Sequence, residues 1–124
     1  MNARDYYLSL LSAIHRAPFV LRSDIIYDEI DLNECYVHGT AGLLNGHELH
    51  IAEYVITEPA PVRLKYRYHL QDADGQLISR WDNAPHHREL ASFPDHRHGS
   101  DGRVQPSYQI VMPEILDAVL RLIS

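Results

Sequence analysis

Apolar residues recur at helical spacing near the start of the chain, and this spacing ends at a proline. The apolar stripe comprises Tyr6, Tyr7, Leu10, Leu11 and Ile14. Asn2 precedes the stripe and can cap a helix, whereas Ala17 followed by Pro18 is a sequence at which helices stop. The pattern therefore predicts an amphipathic helix over about residues 3–16.

A second helical pattern occupies the last part of the chain. Pro113 suits the first turn of a helix that runs to about residue 123, because an amide proton is unpaired there in any case. The apolar face comprises Ile115, Leu116, Val119, Leu120 and Ile123. Strand-like stretches separate the two helical patterns. We expect one α+β domain over residues 1–124, with an antiparallel meander sheet of about five strands flanked by an N-terminal and a C-terminal helix.

The dipeptide Asn45-Gly46 marks a hairpin between the strand-like residues 36–40 and 49–56. A two-residue turn at this dipeptide would place His38 opposite Glu53. We interpret that predicted pair as a structural contact between neighbouring strands.

Residues 62–70 show the clearest alternation of apolar and polar positions in the chain. One face carries Val62, Leu64, Tyr66, Tyr68 and Leu70. The other face carries Arg63, Lys65, Arg67 and His69. Because the aromatic side chains share the face of the leucines, we expect Tyr66, Tyr68 and the nearby Trp81 in the core.

A turn at Asp74-Gly75 would pair this strand with the segment after it. With two residues in the turn, the opposed pairs are Tyr68 with Trp81, His69 with Arg80, and Arg67 with Asp82. Only the last of the polar pairs is favourable without a ligand. Two interpretations remain open: an ordinary half-solvated strand pair, or a face that binds anions, most simply phosphates.

Composition narrows the class of protein. The chain has 124 residues, a formal net charge of -6 and one cysteine, Cys35, which excludes a disulfide framework within the chain. We interpret Cys35 as a small buried hydrophobic residue. No stretch approaches the roughly 20 apolar residues of a membrane span, so we expect a cytoplasmic protein with no membrane partner.

Basic residues and histidines are concentrated in the middle of the chain. Residues 63–103 hold seven Lys or Arg residues and five of the 9 histidines, and most of the acidic residues lie outside this range. The acidic remainder suits a basic partner protein or self-association into a homo-oligomer. Histidine titrates near neutral pH and serves as acid, base or metal ligand.

Several histidines lie in residues 83–99, a loop-rich segment anchored by Leu90 and Phe93. Three interpretations fit this composition. The segment is a solvated loop, a metal site, or a metal-free site in which two imidazoles exchange a proton. In the metal site an extended His96-Arg97-His98 would place two imidazoles on one side, and His86, His87, Asp82 or Asp95 would complete the ligand set. The spacing matches none of the common zinc patterns.

Two short blocks in this segment resemble a known family. Residues 82–87 read Asp-Asn-Ala-Pro-His-His, and residues 93–98 read Phe-Pro-Asp-His-Arg-His. Together with residues 65–69, they resemble the TumE family of prokaryotic toxin–antitoxin proteins over roughly the central and C-terminal half of the chain. Asp95 stands where this resemblance leads us to expect histidine, and a carboxylate at that position can orient an imidazole.

The resemblance implies a toxin encoded beside a cognate antitoxin, and toxins of this size commonly attack RNA. We predict a ribonuclease that needs no metal or other cofactor, with one of His86 or His87 and one of His96 or His98 as base and acid. Lys65 or Arg80 would stabilise the phosphorane. The predicted catalytic residues are thus His86, His87, His96, His98, Lys65 and Arg80. The predicted RNA-binding residues are Arg63, Arg67, His69 and Arg97.

Two other functions stay open at this point. A non-catalytic module could use the same loop to recognise a partner protein or a nucleic acid, and a metal-dependent hydrolase or nuclease could use the same histidines. The chain lacks a phosphate-binding glycine loop, a dinucleotide-binding fingerprint, a nucleophile elbow and a Cys-x-x-Cys pair. These absences argue against a kinase, a hydride-transfer enzyme and a serine hydrolase.

Overall fold

The computed structural model describes residues 1–124, which form one seven-stranded antiparallel sheet with a helix at each end of the chain. The helices are α1 (Ala3–Arg16) and α2 (Met112–Ile123). The strands are β1 (Val20–Asp31), β2 (Glu34–Leu43), β3 (Glu48–Ile56), β4 (Val62–Gln71), β5 (Leu77–Asp82), β6 (His96–Gly99) and β7 (Val104–Pro106). The strands neighbour one another in chain order, which confirms an α+β fold with a meander sheet.

The sheet has seven strands where the sequence led us to expect about five. The difference includes β6 and β7, which have four and three residues. Strands this short show too little alternation to be recognised. Part of the histidine-rich segment is therefore not a loop but a strand, β6, which pairs with β5.

Both helices begin and end where their sequence signals predict. The Asn2 side chain accepts a hydrogen bond of 2.8 Å from the Asp5 amide, and α1 ends directly before Ala17. Pro113 lies in the first turn of α2, and the Glu114 carboxylate accepts a bond of 3.2 Å from the Val111 amide. No helix of this protein has the length and apolar character needed to cross a membrane.

The hydrophobic core lies on one face of the sheet, where both helices pack. Leu10 and Ile14 of α1 and Ile115 and Val119 of α2 are buried in the same cluster as residues of the central strands. These strand residues include Cys35, Val37, Leu49, Tyr66, Tyr68, Leu70 and Trp81. The aromatic residues are therefore in the core as predicted, and burial raises the pKa of the Cys35 thiol to about 11. The other face of the sheet carries no helix, and we call it the open face.

The β2–β3 hairpin differs by one residue from its predicted register. Its loop is a turn over Leu44–Gly46, in which Asn45 has a φ of 61°, and the Leu43 amide donates to the His47 carbonyl at 2.8 Å. His38 consequently lies opposite Ala52, and the predicted pairing of His38 with Glu53 is wrong. A slip of one residue sends a side chain to the other face of a sheet, so Glu53 is in the core and His38 on the open face.

The β4–β5 hairpin has the predicted register even though its turn is longer than predicted. Tyr68 lies opposite Trp81, and the two neighbouring polar pairs follow in the same register. The Asp72 amide donates to the Gln76 carbonyl at 3.0 Å, which leaves three residues in the loop. A bulge at Ile78 then restores the register, because it adds one residue to β5.

A second bulge, at Leu64, overturns the predicted placement of Arg63. Tyr54 pairs with Lys65 and Val55 pairs with Arg63, so Leu64 has no partner on β3. Beyond the bulge the two faces of β4 exchange. Arg63 is 8% exposed and lies on the core face, while Leu64 is 48% exposed, so Arg63 is withdrawn from the predicted RNA-binding face.

Arg63 belongs instead to a buried polar network beneath α1. Its Nη1 donates to the Tyr68 hydroxyl at 2.6 Å, and that hydroxyl donates to Glu53 Oε2 at 2.6 Å. The Tyr6 hydroxyl donates to the other oxygen of Glu53. Burial and the nearby Glu53 carboxylate raise the pKa of Tyr68 well above its usual value. The network therefore balances one buried cation against one buried anion through neutral hydroxyls.

We predict that Glu53→Ala lowers the free energy of unfolding by about 3 kcal/mol or more, because it leaves two hydroxyls without an acceptor and Arg63 without a counter-charge. Glu48→Ala on the same strand, where the side chain is partly exposed, serves as the control and should change it by roughly 0.5 kcal/mol or less. Urea denaturation followed by circular dichroism measures both values. Equal losses in the two variants would contradict a buried ionic network.

Candidate active site

A groove with a volume of about 980 Å³ runs across the open face, from the end of β1 to the loop after β5. Its polar lining comprises Lys65, Arg67, Arg80, Asp82, Asn83, His86, His87, His96 and His98. Its apolar and aromatic lining includes Ile30, Tyr36, Tyr54 and Leu64. The groove therefore has a charged end rich in histidine and an aromatic end.

Asp82, the last residue of β5, organises the histidine end of the groove. Its Oδ1 lies 3.0 Å from His96 Nε2, and its Oδ2 lies 3.7 Å from His98 Nε2. The Ala84 amide also donates to Oδ1, at 2.9 Å. β6 pairs with β5 so that His96 lies directly opposite Asp82, and residues two apart on a strand share a face. One carboxylate therefore holds two imidazoles.

His96 is held by the protein at both ring nitrogens. Its Nδ1 lies 2.8 Å from the Pro94 carbonyl oxygen, while its Nε2 faces Asp82, and the side chain is 2% exposed. With both nitrogens facing acceptor oxygens and the ring buried, His96 cannot exchange a proton with a substrate in this arrangement. It packs against the other rings and fixes where they lie.

His87 and His98 are the histidines of this cluster that remain accessible. The His87 ring centroid lies 5.3 Å from that of His96 and 5.8 Å from that of His98. Its backbone has a φ of 60°, in the left-handed region that few residues other than glycine adopt. Its Nδ1 lies 3.5 Å from Glu89 Oε1. Burial and the positive charge of Arg80 lower the pKa of His98, although Asp82 acts in the opposite direction.

The three clustered histidines could also hold a divalent metal ion. One ring nitrogen from each of His87, His96 and His98 lies within 4.8 Å of the other two. Three imidazoles are a common ligand set for zinc. His96 would first have to release either the Asp82 carboxylate or the Pro94 carbonyl, because a metal ligand needs an unprotonated nitrogen.

Lys65, Arg67 and Arg80 place three positive charges beside the histidines. Arg80 donates from Nε and Nη2 to His69 Nδ1 at 3.2 Å, which confirms the predicted opposition of these two residues. Arg67 lies opposite Asp82 as predicted, but that carboxylate pairs with the histidines of β6. Lys65 and Arg67 form no ion pair, so their charges are free to face a ligand.

The remaining predicted site residues lie apart from this cluster. His86 is exposed and lines the groove outside the three-ring group. Arg97 is on the other face of β6, where its Nε donates to Ser79 Oγ at 2.6 Å and its guanidinium lies 5.5 Å from the Trp81 ring centroid. Asp95 accepts a bond of 2.8 Å from the Tyr66 hydroxyl, and it does not orient an imidazole.

Asn83 and the aromatic end of the groove are features that the sequence did not single out. The Asn83 Oδ1 accepts from the Tyr66 amide at 2.9 Å, and its Nδ2 donates to the Leu64 carbonyl at 3.1 Å. Asn83 thus ties the loop after β5 to the bulge in β4. Tyr36 and Tyr54 line the groove from strands that carry no recognisable motif. Strand alternation alone could have placed them on the open face once the β2–β3 register was known.

His69 generates a prediction about pH. Burial and the neighbouring charges of Arg80, His50 and Arg67 lower its pKa in the folded chain. The unfolded chain therefore binds a proton more readily, and stability falls as the pH drops below about 6.5. His69→Gln keeps an acceptor for Arg80 at every pH. Urea denaturation at about pH 7.5 and about pH 5.5 should show a smaller loss in His69→Gln than in the unsubstituted protein, and an equal loss would contradict this role.

Comparisons with known proteins place the whole site within one family. Residues 10–123 match the family model described as Toxin TumE. The match extends well beyond the central and C-terminal blocks in which the resemblance was visible. Neither the curated proteins nor the solved structures gave a match. A toxin of a toxin–antitoxin system implies a cognate antitoxin as its partner, and this chain belongs to the TumE toxin family.

Proposed function

We propose that this chain is a ribonuclease that cleaves cellular RNA in the cytoplasm by metal-independent histidine chemistry, and that its cognate antitoxin restrains it. The observation that carries the proposal is the pair of accessible imidazoles, His87 and His98, which meet beside Lys65, Arg67 and Arg80 in one groove. Acid–base catalysis of phosphodiester cleavage needs two titratable groups and positive charge around one phosphate. This end of the groove supplies all of them.

His98 takes the part of the general base. Its lowered pKa keeps the ring neutral near pH 7, and a neutral imidazole accepts the proton of the RNA 2′-hydroxyl. The freed oxygen attacks the adjacent phosphorus and forms the P–O2′ bond. A base on this strand is held firmly, since β6 pairs on both sides, with β5 and with β7.

His87 takes the part of the general acid. The P–O5′ bond breaks as the His87 ring donates its proton to the leaving oxygen, which yields a 2′,3′-cyclic phosphate and a free 5′-hydroxyl. His87 belongs to the loop after β5, and its ring meets the His98 ring at its edge, with the centroids 5.8 Å apart. Base and acid therefore come from two different segments and lie close enough to reach one phosphate together.

The cations stabilise the charge that develops on the phosphorane. Arg80 is fixed by its bonds to His69, while Lys65 and Arg67 extend along the groove with their charges unpaired. Arginine offers several donors in a planar fork that matches phosphate oxygens. The proposed RNA-contacting set is thus Lys65, Arg67 and Arg80. His96 and Asp82 act as positioning residues, because neither is exposed enough to touch the substrate.

We predict that His98→Ala lowers the rate of RNA cleavage roughly 100-fold or more, because the reaction loses its base. His47→Ala is the matched control, since His47 is a half-buried histidine of the β2–β3 turn that does not line the groove, and this variant should cleave at the unsubstituted rate. The measurement is cleavage of total cellular RNA and of a defined oligoribonucleotide, with and without a chelator, while circular dichroism reports folding.

The same assay decides between this function and its alternatives. Cleavage that survives chelation and depends on His98 supports the proposal. Loss of cleavage with chelator, restored by zinc, would overturn it in favour of a metal-dependent nuclease built on His87, His96 and His98. Intact RNA under every condition would overturn it in favour of a binding module.

We predict that Asp82→Asn slows cleavage roughly 100-fold through misplacement of the two β6 histidines. The Asp82 carboxylate raises the pKa of His98, so its removal also lowers that pKa further. The acid limb of the profile of kcat/KM against pH should therefore move to lower pH in Asp82→Asn. A lowered rate with an unmoved profile would mean that Asp82 is merely structural.

A further inference from the structure

The aromatic end of the groove has no part in the proposed acid–base chemistry. It consists of Ile30, Tyr36, Tyr54 and Leu64, which we call the aromatic shelf. Tyr36 lies opposite Tyr54, and Tyr54 lies opposite Lys65, so the two rings and this lysine follow one another across β2, β3 and β4. Because neighbouring strands lie about 4.8 Å apart, Tyr36 is two strand spacings from the nearest groove cation.

The shelf presents apolar and aromatic surface to solvent. Tyr36 is 37% exposed, and Ile30 and Leu64 are about half exposed. The Tyr36 ring stacks on His38 at 4.6 Å between centroids with an interplanar angle of 17°, which holds the ring in place. Leu64 reaches this surface only because of the bulge that buries Arg63. An exposed aromatic surface that continues a polar groove is typical of a binding site.

The shelf has acidic neighbours, unlike the part of the groove that carries the cations. Asp28 pairs with His38 at 3.0 Å, and Glu34 accepts a hydrogen bond from the Tyr54 hydroxyl. These carboxylates repel phosphate, whereas Lys65 and Arg67 attract it. A ligand that spans the groove must therefore carry its negative charge at one end and present flat, uncharged surface at the other.

We propose that the shelf is a base-binding subsite, on which bases of single-stranded RNA stack against Tyr36 and Tyr54 while their phosphates contact Lys65 and Arg67. This inference rests on the proposed function, since it takes RNA to be the substrate. Aromatic stacking combined with a basic track is the general way in which proteins bind unpaired strands. The strand is unpaired because stacking requires bases whose faces and edges are free of a complementary strand.

The arrangement also explains how the subsite serves cleavage. Across the sheet the order is aromatic shelf, Lys65 and Arg67 on β4, Arg80 and Asp82 on β5, and the histidines on β6. Bases held on the shelf place the phosphates that come after them over the cations and the scissile phosphate beside His87 and His98. The shelf thus affects how tightly the RNA binds and which phosphate lies beside the histidines, whereas the histidines carry out the chemical step.

The test uses binding that does not depend on cleavage. The probe is a single-stranded oligoribonucleotide of about ten nucleotides that carries 2′-O-methyl groups throughout, so the proposed nucleophile is absent. A second probe of the same length has abasic sugars and retains only the phosphates. Fluorescence anisotropy measures the Kd of each probe for the full chain, and circular dichroism checks the fold of each variant.

Tyr36→Leu removes the aromatic plane and keeps an apolar side chain, whereas Tyr36→Phe keeps the plane. We expect Tyr36→Leu to raise the Kd of the base-bearing probe about 5- to 100-fold and to leave the abasic probe unchanged. Tyr36→Phe should bind both probes as the unsubstituted protein does. Tyr108→Ala is the matched control, because Tyr108 is an exposed tyrosine that does not line the groove.

Three outcomes would overturn the subsite. Tyr36→Leu binds the base-bearing probe as tightly as the unsubstituted protein, or it loses affinity equally for the abasic probe. In the third outcome its affinity for both probes is unchanged and only its affinity for the cognate antitoxin falls, in which case the shelf is a protein-binding surface. Failure of the proposed function looks different. If the base-bearing probe binds through Tyr36 but unmodified RNA is never cleaved, the subsite stands and the nuclease does not.

Discussion

The arrangement of the candidate site depends on one buried carboxylate. Asp82 lies at the end of β5 and pairs with His96 and His98, the two groove-facing histidines of a four-residue strand. A strand as short as β6 has few ladder hydrogen bonds of its own. The contacts of Asp82 therefore add to the pairing with β5 and hold the rings in the groove. Without this carboxylate, three imidazoles packed within 6 Å of one another would repel whenever more than one was protonated.

The two faces of the sheet have different roles, since one carries the hydrophobic core and the other carries the candidate site. Both helices cover the face that carries Trp81 and the Glu53 network, and this leaves the opposite face free to expose cations and imidazoles. On β4 the bulge at Leu64 decides which residues belong to each face, because it places Arg63 in the core and Leu64 in the groove. The Asn83 side chain spans that bulge with two hydrogen bonds to the backbone of β4. A residue of the family-like block thus has a structural role beside the catalytic candidates next to it.

Sequence periodicity predicted the helices and the fold class, because each rests on a repeated signal. The β4–β5 register agrees with its prediction only because the bulge at Ile78 offsets the extra residue of the turn. Periodicity failed where a single extra residue decides the outcome. The loop before His47 holds one residue more than a two-residue turn, which moved Glu53 to the core, and the bulge at Leu64 moved Arg63 there as well. Nothing in the alternation of residues 62–70 marks that bulge. The pairing of Asp82 with the histidines was also beyond prediction, since it requires β6 to lie beside β5.

Protons and metal ions compete for the same nitrogen lone pairs, and the environment of His96 bears on which of them this site can accept. A zinc ion would need one free nitrogen from each of the three rings. His96 has both nitrogens within 3.0 Å of acceptor oxygens, and its burial keeps bulk water from taking over a contact that is given up. His87 and His98 each have a carboxylate oxygen near one ring nitrogen only, at 3.5 Å and 3.7 Å. These contacts agree with the proposed roles, in which two imidazoles act on the substrate and His96 positions them, whereas a three-ligand metal site would have to break one of the contacts of His96.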